Sequence, residues 1–172
     1  MRKSSFRRLR ALRRDERGVA AVEFGIWSVI FFLTMTVALD FGMYINYQLK
    51  LGGAVEQASV YAFNTRDNVN MTTIRDYAVA ASGLTSPAPV VTVGCNGGTS
   101  NCVNAARKCA CITGSAPTPT YTETTCGQAC PAGGNAGYYL NIKAQYLYSP
   151  VLVPNRWLEG NKITETAVVR LQ

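Results

Sequence analysis

The sequence predicts an α+β protein built on one long N-terminal helix, with a small antiparallel sheet packed on that helix and a disulfide-rich loop. Three observations lead to this prediction. Residues 18–39 form an apolar run, GVAAVEFGIWSVIFFLTMTVAL, whose one charge is Glu23. Two segments near the C-terminus alternate between apolar and polar residues, which is typical of half-buried strands. Six cysteines lie before these segments, in a stretch of small and polar residues.

A basic leader precedes the apolar run. Residues 1–18 contain eight Lys or Arg against Asp15 and Glu16, so that six of the seven net positive charges lie there. A basic segment directly before an apolar helix stays cytoplasmic, which predicts that the rest of the chain lies outside. The leader is expected to be a topogenic tail or a short amphipathic helix on the inner leaflet. A nucleic-acid-binding arm is an alternative, but the charge is confined to the leader and we expect no nucleic-acid partner.

The long helix is expected to change character along its length. Residues 19–39 span about 31 Å at 1.5 Å per residue, which matches a hydrocarbon core of about 30 Å. After Asp40 an apolar stripe predicts an amphipathic half that ends near Phe63 and packs on the protein's own domain, a coiled-coil seam being the alternative. A bend is expected near Gly52–Gly53, because glycine weakens helices. The stripe comprises Tyr44, Tyr47, Leu51, Ala54, Ala58 and Tyr61.

The remaining residues, 64–172, are predicted to form a small α+β domain that begins with a turn and a second helix. This helix is expected from about Thr73 to Ser82. Thr73 and Asp76 have the spacing of a capping box, with Asp in place of the usual Glu or Gln. Gly83 is the expected stop. The apolar face of this helix is expected to comprise Ile74, Tyr77, Ala78 and Ala81.

Three strands are predicted in the same domain. Val90–Val93 is short and β-like, whereas Tyr138–Tyr148 and Ile163–Leu171 alternate clearly. Residues 155–161 are the expected turn region between the last two strands. Because two strands are not stable alone in water, the amphipathic half of the long helix is the expected partner for their apolar face. The inward residues are expected to be Leu140, Ile142, Ala144, Tyr146, Tyr148, Ile163, Ala167, Val169 and Leu171.

The cysteine-rich insert, residues 94–137, has too few large apolar residues to order itself. Disulfides supply the missing constraint, typically about 2–4 kcal/mol each. An even number of cysteines in a translocated domain predicts up to three disulfides, with a connectivity that the sequence does not choose. Zinc is the alternative, but the spacings Cys109-x-Cys111 and Cys126-x3-Cys130 are atypical and two cysteines are left over, so no metal is expected. The six are Cys95, Cys102, Cys109, Cys111, Cys126 and Cys130.

No catalytic constellation is present in the sequence. Histidine is absent, which removes the commonest general base and the commonest metal ligand together. The carboxylates of the domain are scattered, and no glycine-rich phosphate loop lies between a strand and a helix. We therefore expect a protein that is not an enzyme, with no catalytic residue and no cofactor.

Glu23 is the one charged residue of the apolar run, and its role has two interpretations. A carboxylate costs about 2.5–3.5 kcal/mol at the bilayer centre and less near the edge, so a boundary glutamate that reaches the headgroups is one interpretation. The other requires a cut between Gly18 and Val19. The new α-ammonium of Val19 would then pair with Glu23 of a neighbouring subunit. Each charge would offset the desolvation cost of the other.

The segment from Arg17 to Phe24, RGVAAVEF, resembles the type IV prepilin signal: a basic leader, glycine, small or apolar residues, glutamate and an aromatic residue. With the following membrane helix and LDFGMYINYQLKLGGAVEQASVYA, it resembles the TadE/TadG-like pseudopilins of the tight-adherence (Tad) pilus. The closing segments AQYLYSPVLVP and ITETAVVRL are similar to the closing strands of that family. The resemblance covers about residues 13–63 and these strands, but not the cysteine-rich insert.

This resemblance implies a pilin-like fold, cleavage by a prepilin peptidase after Gly18, a mature N-terminus at Val19 and the pilin glutamate role for Glu23. It also implies other pilins and the inner-membrane assembly machinery as partners. The location implied is single-pass in the inner membrane, with the N-terminus cytoplasmic and the C-terminal domain periplasmic, and extracellular in the fibre after assembly. The implied function is that of a minor pilin or pseudopilin in pilus assembly, priming, or tip adhesion.

Two other functions are consistent with the same helix. One is a permanently membrane-anchored periplasmic assembly factor that never enters the filament. The other is a secreted protein with an ordinary signal peptide cut near Ala38, although Thr36-Val37-Ala38 is a poor match to a small-x-small site. The N-terminus of the mature protein distinguishes the three functions.

Overall fold

The computed structural model has an α+β fold, as predicted, and divides into two compact units, Met1–Gly42 and Met43–Gln172. The residues that it describes are 16–99, 102–115, 118–158 and 161–172. The predictions for the leader at residues 1–15 lie outside this part of the chain. The elements are α1 (Glu16–Asn64), α2 (Met71–Ser82), β1 (Val90–Cys95), β2 (Cys109–Thr113), β3 (Thr120–Thr124), β4 (Tyr139–Leu147) and β5 (Lys162–Arg170).

Helix α1 is 49 residues long and ends at Asn64, one residue beyond the expected end. Its second half has the predicted amphipathic character, because the buried side chains recur at three- or four-residue intervals. The expected bend is not marked by any break in α1, which continues as α-helix through Gly52–Gly53. Buried neighbours on both sides of the glycines hold this turn in place. The buried side chains are Leu51, Ala54, Val55, Ala58 and Ala62.

Strands β1, β4 and β5 form one antiparallel sheet in the order β1-β4-β5. All three predicted strands are therefore present, and β1 is two residues longer than expected because it continues to Cys95. Alternate residues of β4 are buried on one face, as predicted. On β5, Ile163 and Leu171 beside it are buried, while Ala167 and Val169 are half-buried. A 3₁₀ turn, Asn155–Trp157, lies in the expected turn region.

The buried face of the sheet packs against the second half of α1, and the contacts show which end of the sheet lies at the Tyr44 end of this half. The rings of Tyr44 and Tyr148 lie 5.8 Å apart, and those of Tyr47 and Tyr146 lie 5.3 Å apart. Farther along the helix, a Cβ placed on Gly52 would lie 4.0 Å from Cδ of Glu165. The β4–β5 loop therefore lies at the Tyr44 end of this packed helix. The opposite end of the sheet carries the cysteine-rich insert, since Cys95 is paired with Leu140.

Helix α2 begins at Met71, two residues before the expected start, because a different residue caps it. The side-chain oxygen of Asn70 accepts hydrogen bonds from the backbone N–H groups of Thr72 and Thr73, both at 3.1 Å. The predicted capping box was wrong: Asp76 lies inside the helix and pairs with Arg75 at 2.9 Å. Asparagine is as good a cap as threonine or better, and it occurs first in the chain.

The end and the packing of α2 follow the prediction more closely. Gly83 adopts the left-handed conformation, with φ 62°, and is the expected stop. Ile74 and Ala78 are buried. Tyr77 keeps an exposed edge but stacks on Tyr61 of α1, with ring centroids 5.0 Å apart.

The capping geometry predicts opposite outcomes for two neighbouring substitutions. Asn70→Ala should lower the free energy of unfolding by about 0.5–2 kcal/mol, because two N–H groups of the first turn lose their acceptor. Thr73→Ala is the matched control and should change it by less than about 0.5 kcal/mol, as expected for an exposed position that makes no cap. Urea denaturation of the detergent-solubilised chain measures both values. A larger loss for Thr73→Ala than for Asn70→Ala would contradict this start of the helix.

Candidate functional site

The first half of α1 exposes a continuous apolar surface, here called the apolar segment, residues 18–39. Within the described residues, α1 is the one helix long and apolar enough to cross a membrane, and none of its most apolar window is buried. An exposed apolar surface of this extent indicates a lipid or protein environment. The large exposed side chains are Val19, Val22, Phe24, Ile26, Trp27, Val29, Ile30, Phe31, Phe32, Leu33, Met35 and Leu39.

The uncharged polar side chains of this segment are satisfied by the helix itself. Ser28 Oγ donates to the carbonyl oxygen of Gly25 at 2.8 Å. Thr34 Oγ1 donates to the carbonyl oxygens of Ile30 and Phe31, and Thr36 Oγ1 donates to that of Phe32. Hydroxyl groups bonded in this way can enter hydrocarbon without leaving an unsatisfied donor. Glu23 is the charged side chain of the segment, and a carboxylate in hydrocarbon needs an external partner.

Glu23 is exposed and lies one helical turn from Val19 on one side and from Trp27 on the other. It forms no ion pair within the described part of the chain. Gly18 also lies in the helix, and a Cβ placed on it would meet no atom within 4 Å. The segment thus presents a carboxylate in an apolar row, one turn from the expected new N-terminus. The processing role of Gly18 and Val19 and the pairing role of Glu23 stay predictions.

The six predicted disulfide cysteines form three bonds, Cys95–Cys102, Cys109–Cys126 and Cys111–Cys130. The expected number is confirmed, and Cys109 and Cys111 each pair elsewhere, as expected. All six sulfur atoms are used in these bonds, so none of them is a free thiol. We call residues 94–137 the cysteine module.

The cysteine module contains a second antiparallel sheet, formed by β2 and β3, that the sequence pattern did not predict. Cys109 and Cys111 are alternate residues of β2 and therefore share a face. Their partners, Cys126 and Cys130, both follow β3. The Cys-x-Cys spacing was the available signal for this strand, because alternate side chains reach the same neighbouring segment.

Buried contacts fix the cysteine module to the three-stranded sheet. Tyr138 is 1 % exposed, and its hydroxyl oxygen accepts a hydrogen bond from the N–H of Val103 at 2.9 Å. The guanidinium of Arg107 lies 5.1 Å from the centre of the same ring. Asn96 bonds to both parts: its Nδ2 donates to Lys108 O, and its Oδ1 accepts from the N–H of Tyr139. These contacts predict that the module keeps a fixed orientation on the domain.

A groove of about 290 Å³ lies where the module meets the solvent face of the sheet. Tyr121 lines it, and the phenol hydroxyl donates to Oδ1 of Asn141 at 2.6 Å. Burial raises the pKa of Tyr121, and the hydrogen bond to Asn141 opposes that rise. Lys143 also lines the groove, which has no carboxylate among its described lining residues. Nothing in the sequence pattern pointed to this groove, since it depends on how the two sheets meet.

The comparisons with known proteins concern α1. Residues 18–59 match the family model described as TadE-like protein. The match includes Gly18, Val19 and Glu23, together with the apolar segment and most of the buried stripe. No curated protein matches the chain. No solved structure matches it either. The first helix of this protein is therefore TadE-like over residues 18–59, as the sequence resemblance predicted.

Proposed function

We propose that this protein is a minor pilin or pseudopilin of a Tad-type pilus, which waits in the inner membrane before assembly. The observation that carries the proposal is the exposed apolar segment with its single carboxylate, inside the stretch that matches the TadE-like family. The same apolar surface suits two successive environments: the bilayer first, and the helical core of a filament afterwards. The role is mechanical rather than catalytic.

The proposed membrane state follows from the side chains of the apolar segment. Lipid covers the apolar residues, and the hydroxyl groups of Ser28, Thr34 and Thr36 keep their helix acceptors. The basic leader stays cytoplasmic, so the domain that follows lies in the periplasm. Asp40 directly follows the apolar segment and is 2 % exposed. Only Glu23 is poorly suited to lipid, and its position near the start of the span reduces that cost.

The proposed assembly step begins with a prepilin peptidase that cleaves after Gly18. Cleavage creates an α-ammonium at Val19, on the same helix face as Glu23 and one turn from it. When a second subunit packs against this face, the ammonium of one subunit pairs with the carboxylate of the other. Pairing removes the desolvation cost of two isolated charges and fixes the register of the two helices. Other pilins and the inner-membrane assembly machinery are the proposed partners.

The cysteine module suits a specialised surface or tip subunit. It lies at the end of the sheet opposite to the β4–β5 loop, and the loop lies at the Tyr44 end of α1. The module therefore lies at the far end of the sheet from Tyr44, and Tyr44 follows the apolar segment by five positions in the chain. Its three disulfides keep it folded outside the cell. We propose adhesion at the tip or surface as the use of this module.

Mass spectrometry of the mature protein tests the proposal. In cells with the matching peptidase, we expect an N-terminal peptide that begins at Val19. Gly18→Leu should retain the leader, whereas Gly25→Leu should be cut normally. A Cβ placed at either position meets no atom within 4 Å, and only Gly18 adjoins the proposed cut.

The other N-termini identify the alternatives. A chain that still begins at Met1 in these cells would contradict the pilin proposal and support a permanently anchored assembly factor. A start near Leu39 would indicate a secreted protein released from a signal peptide. Disulfide-linked peptides in purified pili would further show that the folded module reaches the filament.

A further inference from the structure

The β4–β5 loop and the strand end before it expose a second apolar surface, here called the proximal patch. It comprises Leu147, Val151, Leu152 and Trp157. Their exposed fractions are 65 %, 76 %, 54 % and 63 %. Exposure of four large apolar side chains in one short segment is more than isolated surface residues would give, and such a patch marks an interaction site.

Buried neighbours keep the side chains of the proximal patch at the surface of the domain. Tyr148 and Val153, among the exposed residues, and Leu158, directly after them, are 5 %, 4 % and 2 % exposed and anchor the segment. The backbone N–H of Tyr148 also donates to the carbonyl oxygen of Asn161 at 2.8 Å, which closes the base of the loop. Because buried residues are interspersed with the exposed ones, the patch is a presented surface and not the result of an unpacked loop.

The β4–β5 loop lies near the residues that follow the apolar segment in the chain. Tyr148 packs on Tyr44 of α1, with ring centroids 5.8 Å apart. Tyr44 follows Leu39, the last residue of the apolar segment, by five positions. Five residues span about 18 Å at most, and about 7.5 Å as helix. If the apolar segment crosses the membrane, the base of the loop therefore lies close to the outer membrane–water interface.

The chemistry of the loop fits that interface. Tryptophan and tyrosine are enriched where hydrocarbon meets headgroups, and the loop exposes Trp157 while Tyr148 at its base packs on Tyr44. Arg156 is exposed beside Trp157, and Lys162 is exposed opposite Leu147 in the strand register. Long basic side chains of this kind cover apolar surface and place their charge at lipid phosphates. Glu159 is the acidic residue of the same stretch of sequence, which leaves the net charge positive.

We propose that the proximal patch docks on the outer leaflet of the bilayer and holds the domain against the membrane until assembly. The partner is a lipid surface with anionic headgroups, contacted by Trp157, Leu152 and Val151. This inference rests on the membrane span proposed above, but not on the pilus role. Extraction of the protein into a filament must then release two apolar surfaces, the helix and the patch.

The two tryptophans of the chain allow a direct test in the full-length protein. Trp27→Phe leaves Trp157 as the fluorophore, and Trp157→Phe leaves Trp27. Each variant is placed in vesicles of phosphatidylcholine and phosphatidylglycerol, part of the former brominated at a shallow or a deep acyl position. Trp157 should be quenched by the shallow bromine more than by the deep one, as expected for a residue at the interface.

A third variant supplies the matched control. Val103→Trp, made without Trp27 and Trp157, places a tryptophan at an exposed site of the cysteine module. The backbone of Val103 bonds to Tyr138, at the far end of β4, roughly 30 Å from the loop at about 3.3 Å per strand residue. This tryptophan should be quenched by iodide and hardly by bromolipid. Iodide quenching of Trp157 should be several-fold weaker than that of the control.

Each contrary result has its own meaning. Equal iodide quenching of Trp157 and the Val103→Trp control, without bromolipid quenching, would overturn membrane docking. Protection of Trp157 from both quenchers would assign the patch to a protein partner, such as a second copy of the chain, and would also overturn it. If Trp27 itself escapes bromolipid quenching, the membrane span is wrong and the docking with it. If bromolipid quenches Trp27 but not Trp157, the membrane span stands and only the docking of the proximal patch is overturned.

Discussion

Glu23→Ala is expected to be cleaved normally after Gly18 but to be depleted in sheared pili by roughly tenfold or more. The carboxylate is the proposed partner of the α-ammonium that cleavage creates at Val19. Removing one member of a buried ion pair costs about 3–5 kcal/mol, because the other charge stays desolvated. Cleavage itself depends on the leader and the cut site, which the substitution leaves unchanged. Immunoblots of sheared pili and of membranes measure both forms.

The control for this result is the same change on the other half of the helix. Glu56 is also an exposed glutamate of α1, but it lies in the domain-bearing half, outside the apolar segment. Glu56→Ala should leave cleavage and incorporation unchanged. Glu23→Gln keeps the shape of the side chain and removes its charge, so it should behave like Glu23→Ala if charge pairing is the cause. Normal amounts of Glu23→Ala in sheared pili would remove the proposed role of this residue.

The parts of the fold that the sequence predicted are those specified by local periodicity. The alternation of β4 identified its buried face, since Leu140, Ile142 and Ala144 are each at most 1 % exposed. The three- and four-residue spacing after Tyr44 likewise identified the face of α1 that packs on the sheet. In both elements the pattern of apolar residues alone decides which side is buried.

The features that the sequence did not predict depend on which segments meet in space. The cysteine module has little apolar periodicity, so the β2–β3 sheet and the disulfide connectivity were not predicted. At the start of α2, Asn70 and Thr73 are both acceptable caps, and only the packed structure selects between them. The capping-box spacing was therefore a weak guide at this position.

The candidate site divides in the same way. Gly18, Val19 and Glu23 were proposed because a charge is conspicuous inside an apolar run and because the surrounding residues resemble a prepilin signal, and their roles stay predictions. The proximal patch was not found, because Val151, Leu152 and Trp157 follow no regular spacing and lie among or just after the prolines at positions 150 and 154. The proposed contact of the patch with the membrane depends on the direction in which β4 packs on α1. No local sequence pattern specifies that direction.

Removal of the Cys111–Cys130 disulfide is expected to open the cysteine module while the rest of the domain stays folded. The bond closes a loop with a sequence separation of 19, for which chain entropy predicts about 3 kcal/mol of stabilisation. A two-stranded sheet is marginal on its own, so β2 and β3 should lose order first. The double variant Cys111→Ala/Cys130→Ala avoids leaving one unpaired thiol. Hydrogen exchange resolved by peptide measures the effect on each strand.

The Cys95–Cys102 bond supplies the comparison, because its loop is shorter, with a sequence separation of 7. The same entropy relation gives about 2.4 kcal/mol, so Cys95→Ala/Cys102→Ala should accelerate exchange in β2 and β3 less. In both double variants β4 should exchange as slowly as before, because its buried face rests on α1 and not on the module. Faster exchange in β4 as well would contradict a separable module and show that the contacts of Tyr138 and Asn96 join the two sheets into one cooperative unit. Unchanged exchange in β2 and β3 would show instead that the disulfides are not what holds the module together.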